Sequence, residues 1–237
     1  MEAARFQGRA ALVTGAGTGI GRAVALGLAG EGAAVALCGR REEALLETAR
    51  LLTGAGGRGR PLPMDARREE EVRGAFDAAE SALGPVEVAV ASHGVNTLAR
   101  AEEMAIEAWN DVLATNLTGV FLVAREAARR MRPHGTGRIV IVSSVSGRPG
   151  YRKFPGFAAY AASKYALTGL VEVLAAELEG SGVGLAMLCP GGVDTEMFRA
   201  TFPGARAALT PERAAAAVLD LADPGAPAPG GVILDLT

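Results

Sequence analysis

A tyrosine and a lysine stand four residues apart in Tyr160-Ala-Ala-Ser-Lys164. On a helix that spacing puts both side chains on one face, one turn apart. A neutral phenol, with a free pKa near 10, is a poor acid and a worse base at neutral pH. An ammonium beside it favours the phenolate and brings the hydroxyl toward the working range of general acid–base chemistry. The chain has three tyrosines and only two lysines, Lys153 and Lys164. A chance match at this spacing therefore has odds of roughly one in forty. Tyr151 has Pro155 at the same offset and Tyr165 has Gly169, so neither competes. Arginine is the cation nearly everywhere else, and it cannot copy the compact, tunable charge of a lysine.

A second chemical signal is Thr14 followed by Gly15-Ala-Gly-Thr-Gly-Ile-Gly21. Glycines let a backbone approach a pyrophosphate, and a helix that follows offers unpaired N–H groups. The spacing is GxxxGxG, with Ile20 where the common dinucleotide fingerprint has its last glycine. After the next apolar run comes Cys38-Gly-Arg-Arg-Glu42. An acid at that point would bind the ribose hydroxyls of NAD; here it is missing and Arg40 and Arg41 follow, which favours the 2′-phosphate of NADP. Ser144 ends another apolar run, where a hydroxyl suits a developing oxyanion, but Ser143 and Ser146 are equally eligible on chemistry alone, and each could be a turn or cap serine. Asn116, among apolar helical residues, either satisfies a distorted helix or belongs to a proton path. His93 and His134 are too isolated for a zinc site, and Cys38 and Cys189 read as buried free thiols.

The elements that must position these groups alternate along the chain. Apolar runs at 10–14, 33–38, 61–64, 86–91, 138–142, 184–189 and 231–236 read as strands, with 54–59 a loop. Helical spacing covers 22–30, 41–52, 69–83, 106–131 with a kink near Gly119, 158–179 and 211–221. The expectation is a single α/β domain over 1–237, a Rossmann-type doubly wound, mainly parallel sheet with helices on both faces. Ligands of such sheets sit beyond the carboxyl ends of the strands, which is where the suspect residues fall. With 237 residues, 49% hydrophobic and 21% charged, the chain can bury a large core. A net charge of −2 calls for neither nucleic acid nor an anionic membrane. The polar start and the absence of a long apolar run point to a cytoplasmic protein.

Taken together, these motifs resemble the short-chain dehydrogenase/reductase superfamily over nearly the full length. The matching pieces are the glycine loop, Asp65, Asn116-Leu-Thr-Gly119, Gly137 to Ser144, the tyrosine–lysine pair and Pro190-Gly-Gly-Val-Asp-Thr195. The resemblance implies a tetrad of Asn116, Ser144, Tyr160 and Lys164, and it selects Ser144 among the serines. It implies a dinucleotide held by Gly15, Thr18, Gly19, Ile20, Gly21, Arg40, Asp65, Gly94, Tyr160, Lys164, Pro190, Gly191, Val193 and Thr195, with Asp65 at the adenine and Lys164 at the nicotinamide ribose. Ser144 would steady a substrate oxygen, Tyr160 would exchange its proton, Lys164 would tune Tyr160, and Asn116 would support a water relay. The implied activity is reduction of a small-molecule ketone with NADPH. Alternatives are a ketoacyl-carrier-protein reductase, docked through Arg129, Arg130 and Arg132, an NAD-dependent alcohol dehydrogenase, or a non-catalytic cofactor-sensing scaffold. A homotetramer, or a homodimer, is implied through the helices of Asn116 and Tyr160.

Four stretches depart from the family pattern. Ala91-Ser-His-Gly94 replaces Asn-Asn-Ala-Gly, the 148–157 loop is enlarged, the 198–209 lid is short, and the C-terminal strand is expected to have trimmed contacts.

Overall fold

Seven strands alternate with helices over residues 4–237, those described by the computed structural model; residues 1–3, the tip of the polar start, lie outside them. The strands are β1 (Ala10–Thr14), β2 (Ala34–Gly39), β3 (Arg58–Pro63), β4 (Val86–Ala91), β5 (Gly137–Val142), β6 (Val183–Pro190) and β7 (Gly230–Leu236). They form one sheet in the order β3-β2-β1-β4-β5-β6-β7. Every neighbouring pair is parallel. The helices are α1 (Gly19–Gly30), α2 (Glu42–Gly54), α3 (Glu69–Leu83), α4 (Ile106–Leu113), α5 (Gly119–Met131), α6 (Ala158–Leu178), α7 (Glu196–Thr201) and α8 (Pro211–Leu221).

Strands buried on both faces read as near-continuous apolar runs, because each successive side chain enters a different core. In β5, Ile139 and Ile141 enter the core with α3, α5 and α6, represented by Phe76, Val123 and Leu167. Val140 and Val142 enter the opposite core with α1, α2 and α8, represented by Leu28, Leu45 and Val218. Each such fully buried branched side chain contributes about 1.5–3 kcal/mol, so the sheet is a stiff base for the groups at its ends.

Several boundaries differ from expectation. β3 begins at Arg58, inside the segment read as a loop, and pairs with β2 from Ala34↔Arg58 to Gly39↔Pro63. It is an edge strand with alternating exposure, so arginines and prolines are tolerated there and no apolar run announces it. The C-terminal strand is not trimmed: β7 pairs with β6 through Pro190↔Leu236, and Gly191 N donates to Leu236 O at 2.8 Å. The short α7 falls in the stretch read as a lid. The expected kink in 106–131 is a π-helical turn, Ala114–Thr118, ending just before Gly119.

Candidate active site

In chain order the sheet grows outward from β1 through β2 to β3, then restarts at β4 on the other side of β1. Their connections leave in opposite directions, so a crevice opens beyond the carboxyl ends of β1 and β4. Thr14 and Ala91, the last residues of these strands, are register partners. A cleft of about 570 Å³ begins there, lined by Gly15, Thr18, Gly19, Ile20, Gly21, Arg40, Asp65, Gly94, Tyr160, Lys164 and Thr195, along with His93. A second pocket of about 390 Å³ adjoins it, lined by Ser144, Pro190, Gly191, Val193 and a group of phenylalanines; Tyr160 and Thr195 line both. The structure thus brings together every residue anticipated for the site except Asn116, which borders neither cavity.

The glycine loop is shaped by close approach. A Cβ on Gly21 would sit 2.3 Å from the Gly15 carbonyl oxygen. Gly15 itself has φ +68, and a Cβ there would lie 2.8 Å from the Ser92 carbonyl oxygen. At the start of α1, Thr18 makes no side-chain cap bond and the first turn holds no acid. Its leading N–H groups therefore remain available to an anion, with the helix dipole behind them.

At the end of β2, Arg40 is exposed and makes no side-chain hydrogen bond or ion pair among the described residues. Arg41 is engaged: its Nη2 donates to Thr18 Oγ1 at 3.2 Å and to Glu196 Oε2 at 3.1 Å, bridging the glycine loop and α7. The Asp65 carboxylate takes three bonds from the Arg67 guanidinium at 3.0, 2.9 and 2.5 Å, and this pairing lowers its pKa. The glycines, the free N–H groups at the start of α1 and the length of the cleft fit a dinucleotide.

Tyr160 stands where the two cavities meet. Burial pushes the phenol pKa up, and the neighbouring Ser144 hydroxyl opposes that shift. Lys164 Nζ lies 5.6 Å from the Tyr160 ring centroid and donates to Val142 O at 3.3 Å. Burial lowers the lysine pKa to about 8. The expected lowering of the tyrosine by the lysine is thus outweighed in this state by desolvation of both groups. Two of the three candidate serines separate by direction. Ser144 accepts from Ser146 N at 3.1 Å and reaches Tyr160. Ser143 turns the other way, to the Lys164 carbonyl at 3.5 Å.

Asn116 is fully buried in the π-helical turn, and its amide is taken up by protein groups. Nδ2 donates to Val95 O at 2.9 Å and to Ser163 Oγ at 3.1 Å, while Oδ1 accepts from Val95 N at 2.8 Å. Ser163 Oγ in turn donates to the Tyr160 carbonyl at 2.7 Å. The loop after β4, the π turn and the first turn of α6 are thereby tied together behind the tyrosine. A satisfied distorted helix, one of the two readings of Asn116, is what the side chain displays.

His93 contacts Thr14 at the head of the cleft, its Nδ1 2.6 Å from Thr14 Oγ1. Thr14 Oγ1 also accepts from Ser92 N at 3.2 Å. The Thr14 hydroxyl also reaches Val90 O at 3.4 Å, and His93 Nε2 is shielded from solvent and without a well-formed partner. Desolvation foremost, with the Lys164 charge, lowers the His93 pKa to about 4, although the Thr115 carbonyl works against the shift.

One sequence expectation fails. Arg129 and Arg130 do not form a free basic patch: Glu126 pairs with both, and Asp77 and Glu80 also hold Arg130. Sequence reasoning also passed over Ser163, Arg41's bridge and Glu196. Ser163 lies next to Lys164 in the quoted motif, a local signal; Glu196 meets Arg41 only through the fold.

A model of the family described as short chain dehydrogenase matches residues 9–205. A relative named 3beta-hydroxysteroid dehydrogenase from Mediterraneibacter gnavus is 38% identical over 194 residues, spanning 81% of this chain and 69% of its own. Other relatives carry the names D-threitol dehydrogenase, putative ketoacyl reductase and NADPH-dependent aldehyde reductase-like protein. Among solved structures, a short-chain type dehydrogenase/reductase from Mycobacterium marinum superposes with a TM-score of 0.91 at 31% identity, covering 99% of this chain and 96% of that one. A 7 alpha-hydroxysteroid dehydrogenase solved with NADH and 7-oxo glycochenodeoxycholic acid gives 0.91 at 25% identity, over 99% and 94%. The chain belongs to the short-chain dehydrogenase/reductase family, oxidoreductases acting between hydroxyl and carbonyl groups.

Proposed function

We propose that this chain is one catalytic domain working as an NADPH-dependent carbonyl reductase on a small ketone. The observation carrying the reading is Tyr160 at the junction of a charged, dinucleotide-shaped cleft and an apolar pocket, with Ser144 against its hydroxyl and Lys164 beneath its ring. A bound nicotinamide dinucleotide supplies the hydride, or takes it in the reverse direction. Tyr160 gives its proton to the substrate oxygen, and Ser144 donates a hydrogen bond to that oxygen as charge develops on it. Lys164 stabilises the phenolate left behind, and Asn116, through Ser163, holds the first turn of α6 so that these groups stay in register. The NADPH preference rests on Arg40, free at the end of β2, and on the lack of an acid there. The carrier-protein alternative loses support because Arg129 and Arg130 are neutralised by acids. Exposed Tyr165 and Val173 on α6, with Ile106 at the start of α4, support self-association through these helices.

Titration with NADPH and NADH, followed by cofactor fluorescence, tests the reading. Arg40→Ala is expected to weaken NADPH binding about tenfold, near 1.4 kcal/mol, and to leave NADH unchanged. Tyr160→Phe is expected to bind NADPH as the wild type does and to lose turnover by at least ~100-fold. Tighter NADH than NADPH binding by the wild type would overturn the cofactor assignment.

A further inference from the structure

The charges of this site are divided between its two cavities. The dinucleotide cleft carries Arg40, Arg41, Asp65, Lys164 and Glu196. The adjoining pocket carries none: its polar lining is confined to hydroxyls and Asn96. Its wall is a contiguous set of phenylalanine rings centred on Phe202. That ring lies 5.2 Å from Phe154, 5.7 Å from Phe157 and 5.3 Å from Phe198, measured between centroids. Phe157 then meets Tyr160 edge-on at 5.8 Å and 88°, so the wall runs directly to the catalytic hydroxyl. The wall is fixed by the backbone under it, since a Cβ on Gly192 would lie 2.8 Å from Phe198 Cε2.

Three neighbouring cations are committed elsewhere. Arg148 pairs with Asp235 at 3.0 Å. Lys153 donates to the carbonyls of Val145 and Arg148. Arg152 lies over the Phe154 ring at 5.2 Å and does not line the pocket. An anionic group entering here would give up its water without a partner, whereas a flat apolar ring would be covered on several sides. The volume suits a molecule of drug size.

The geometry points to an uncharged ketone bearing an aryl or alicyclic ring system, or the matching secondary alcohol, as the substrate class of this pocket. This assignment rests on the reductase reading for its chemistry but not for its binding.

Both are separated by one experiment on the full chain, using three probes: acetylnaphthalene, the same ketone with a ring carboxylate, and butanone. Turnover is followed by NADPH oxidation, and binding to the cofactor-free protein by calorimetry. In kcat/KM, acetylnaphthalene is expected to exceed its carboxylate by at least ~100-fold, the cost of a desolvated, unpaired anion. A similar margin over butanone follows from the apolar ring area covered. Phe202→Ala is expected to raise KM for acetylnaphthalene about tenfold with little change in kcat, and Phe202→Leu, which retains an apolar side chain, to restore part of it. Binding in the same rank order without turnover supports the substrate class and defeats the reductase reading. Turnover or binding that favours the carboxylate or butanone overturns the class while leaving the redox reading intact where NADPH is consumed. Failure of all three to bind or react also overturns it.

Discussion

Acidification should unfold this protein partly through His93, over a pH window set by the histidine's two environments. Its pKa falls from an ordinary 6.5 to about 4 in the folded chain, desolvation being the main cause. Between those values the unfolded chain binds a proton that the folded chain refuses, so stability falls as pH falls. At pH 7 both states are neutral and the contribution is near zero. At pH 5 the unfolded histidine is almost fully protonated and the native one is not, which removes about 2 kcal/mol of stability. The two conditions compared, pH 7 and pH 5, both lie above the ordinary values of 4.5 and 3.8 from which Glu126 and Asp65, each with a lowered pKa, withdraw stability as pH falls. Urea unfolding of wild type and His93→Gln at pH 7 and pH 5 isolates the effect. The wild type should lose about 2 kcal/mol more than the variant between the two conditions. Equal losses would mean that the native histidine titrates normally and that the Thr14 contact does not hold it neutral.

The same pocket gives a coupled prediction: Gly119→Ala places a Cβ 2.9 Å from His93 Nε2 and should destabilise by about 1–3 kcal/mol. In a His93→Ala background the cost should shrink to what the remaining contacts of that Cβ impose, 3.2 Å from Ala66 O and 3.3 Å from Ala66 Cβ; an equal cost in both backgrounds would mean that His93 is not the group it meets. Ser163→Ala leaves one Asn116 N–H buried without its acceptor and should cost about 1–3 kcal/mol in denaturant unfolding. A change under about 0.3 kcal/mol would mean that Asn116 is not held through Ser163.

What could be read ahead of the structure was what local pattern encodes. The fully buried strands β1, β4, β5 and β6 are apolar runs, and the glycine loop, Tyr160 and Lys164 lie close together in sequence. β3 escaped in part because an edge strand has no core on which to impose apolar residues: Arg58 and Arg60 face solvent. Tyr160 and Lys164 were placed correctly, but the balance of their charges was not legible. Spacing shows that an ammonium is near, while the burial that opposes it is set by how the rest of the fold encloses both groups. The arginine cluster at 129–132 misled for a similar reason: Asp77 and Glu80, which neutralise Arg130, lie on α3, some 50 residues away (|i−j| of 53 and 50). The interpretation of Asn116 divided along the same line. Its place in a distorted helix showed in the sequence, and its partners did not.

The altered Ala91-Ser-His-Gly94 stretch shows how the chain can leave its family's pattern and keep the site. Thr14 closes the top of β1 onto Ser92 N and His93 Nδ1. A histidine is bulkier than the alanine it replaces, so its accommodation depends on the backbone at Gly119, where there is no Cβ to meet Nε2. Gly119 ends the π turn that also carries Asn116, and Asn116 secures Val95 just beyond the altered segment. The substitution is therefore supported from both sides: by a hydroxyl on β1 and by an open position at the start of α5. That leaves Gly94 clear beside Lys164, where a Cβ would come within 3.7 Å of Nζ. The face that carries Tyr160 and Lys164 keeps its arrangement because the change in sequence is absorbed behind it.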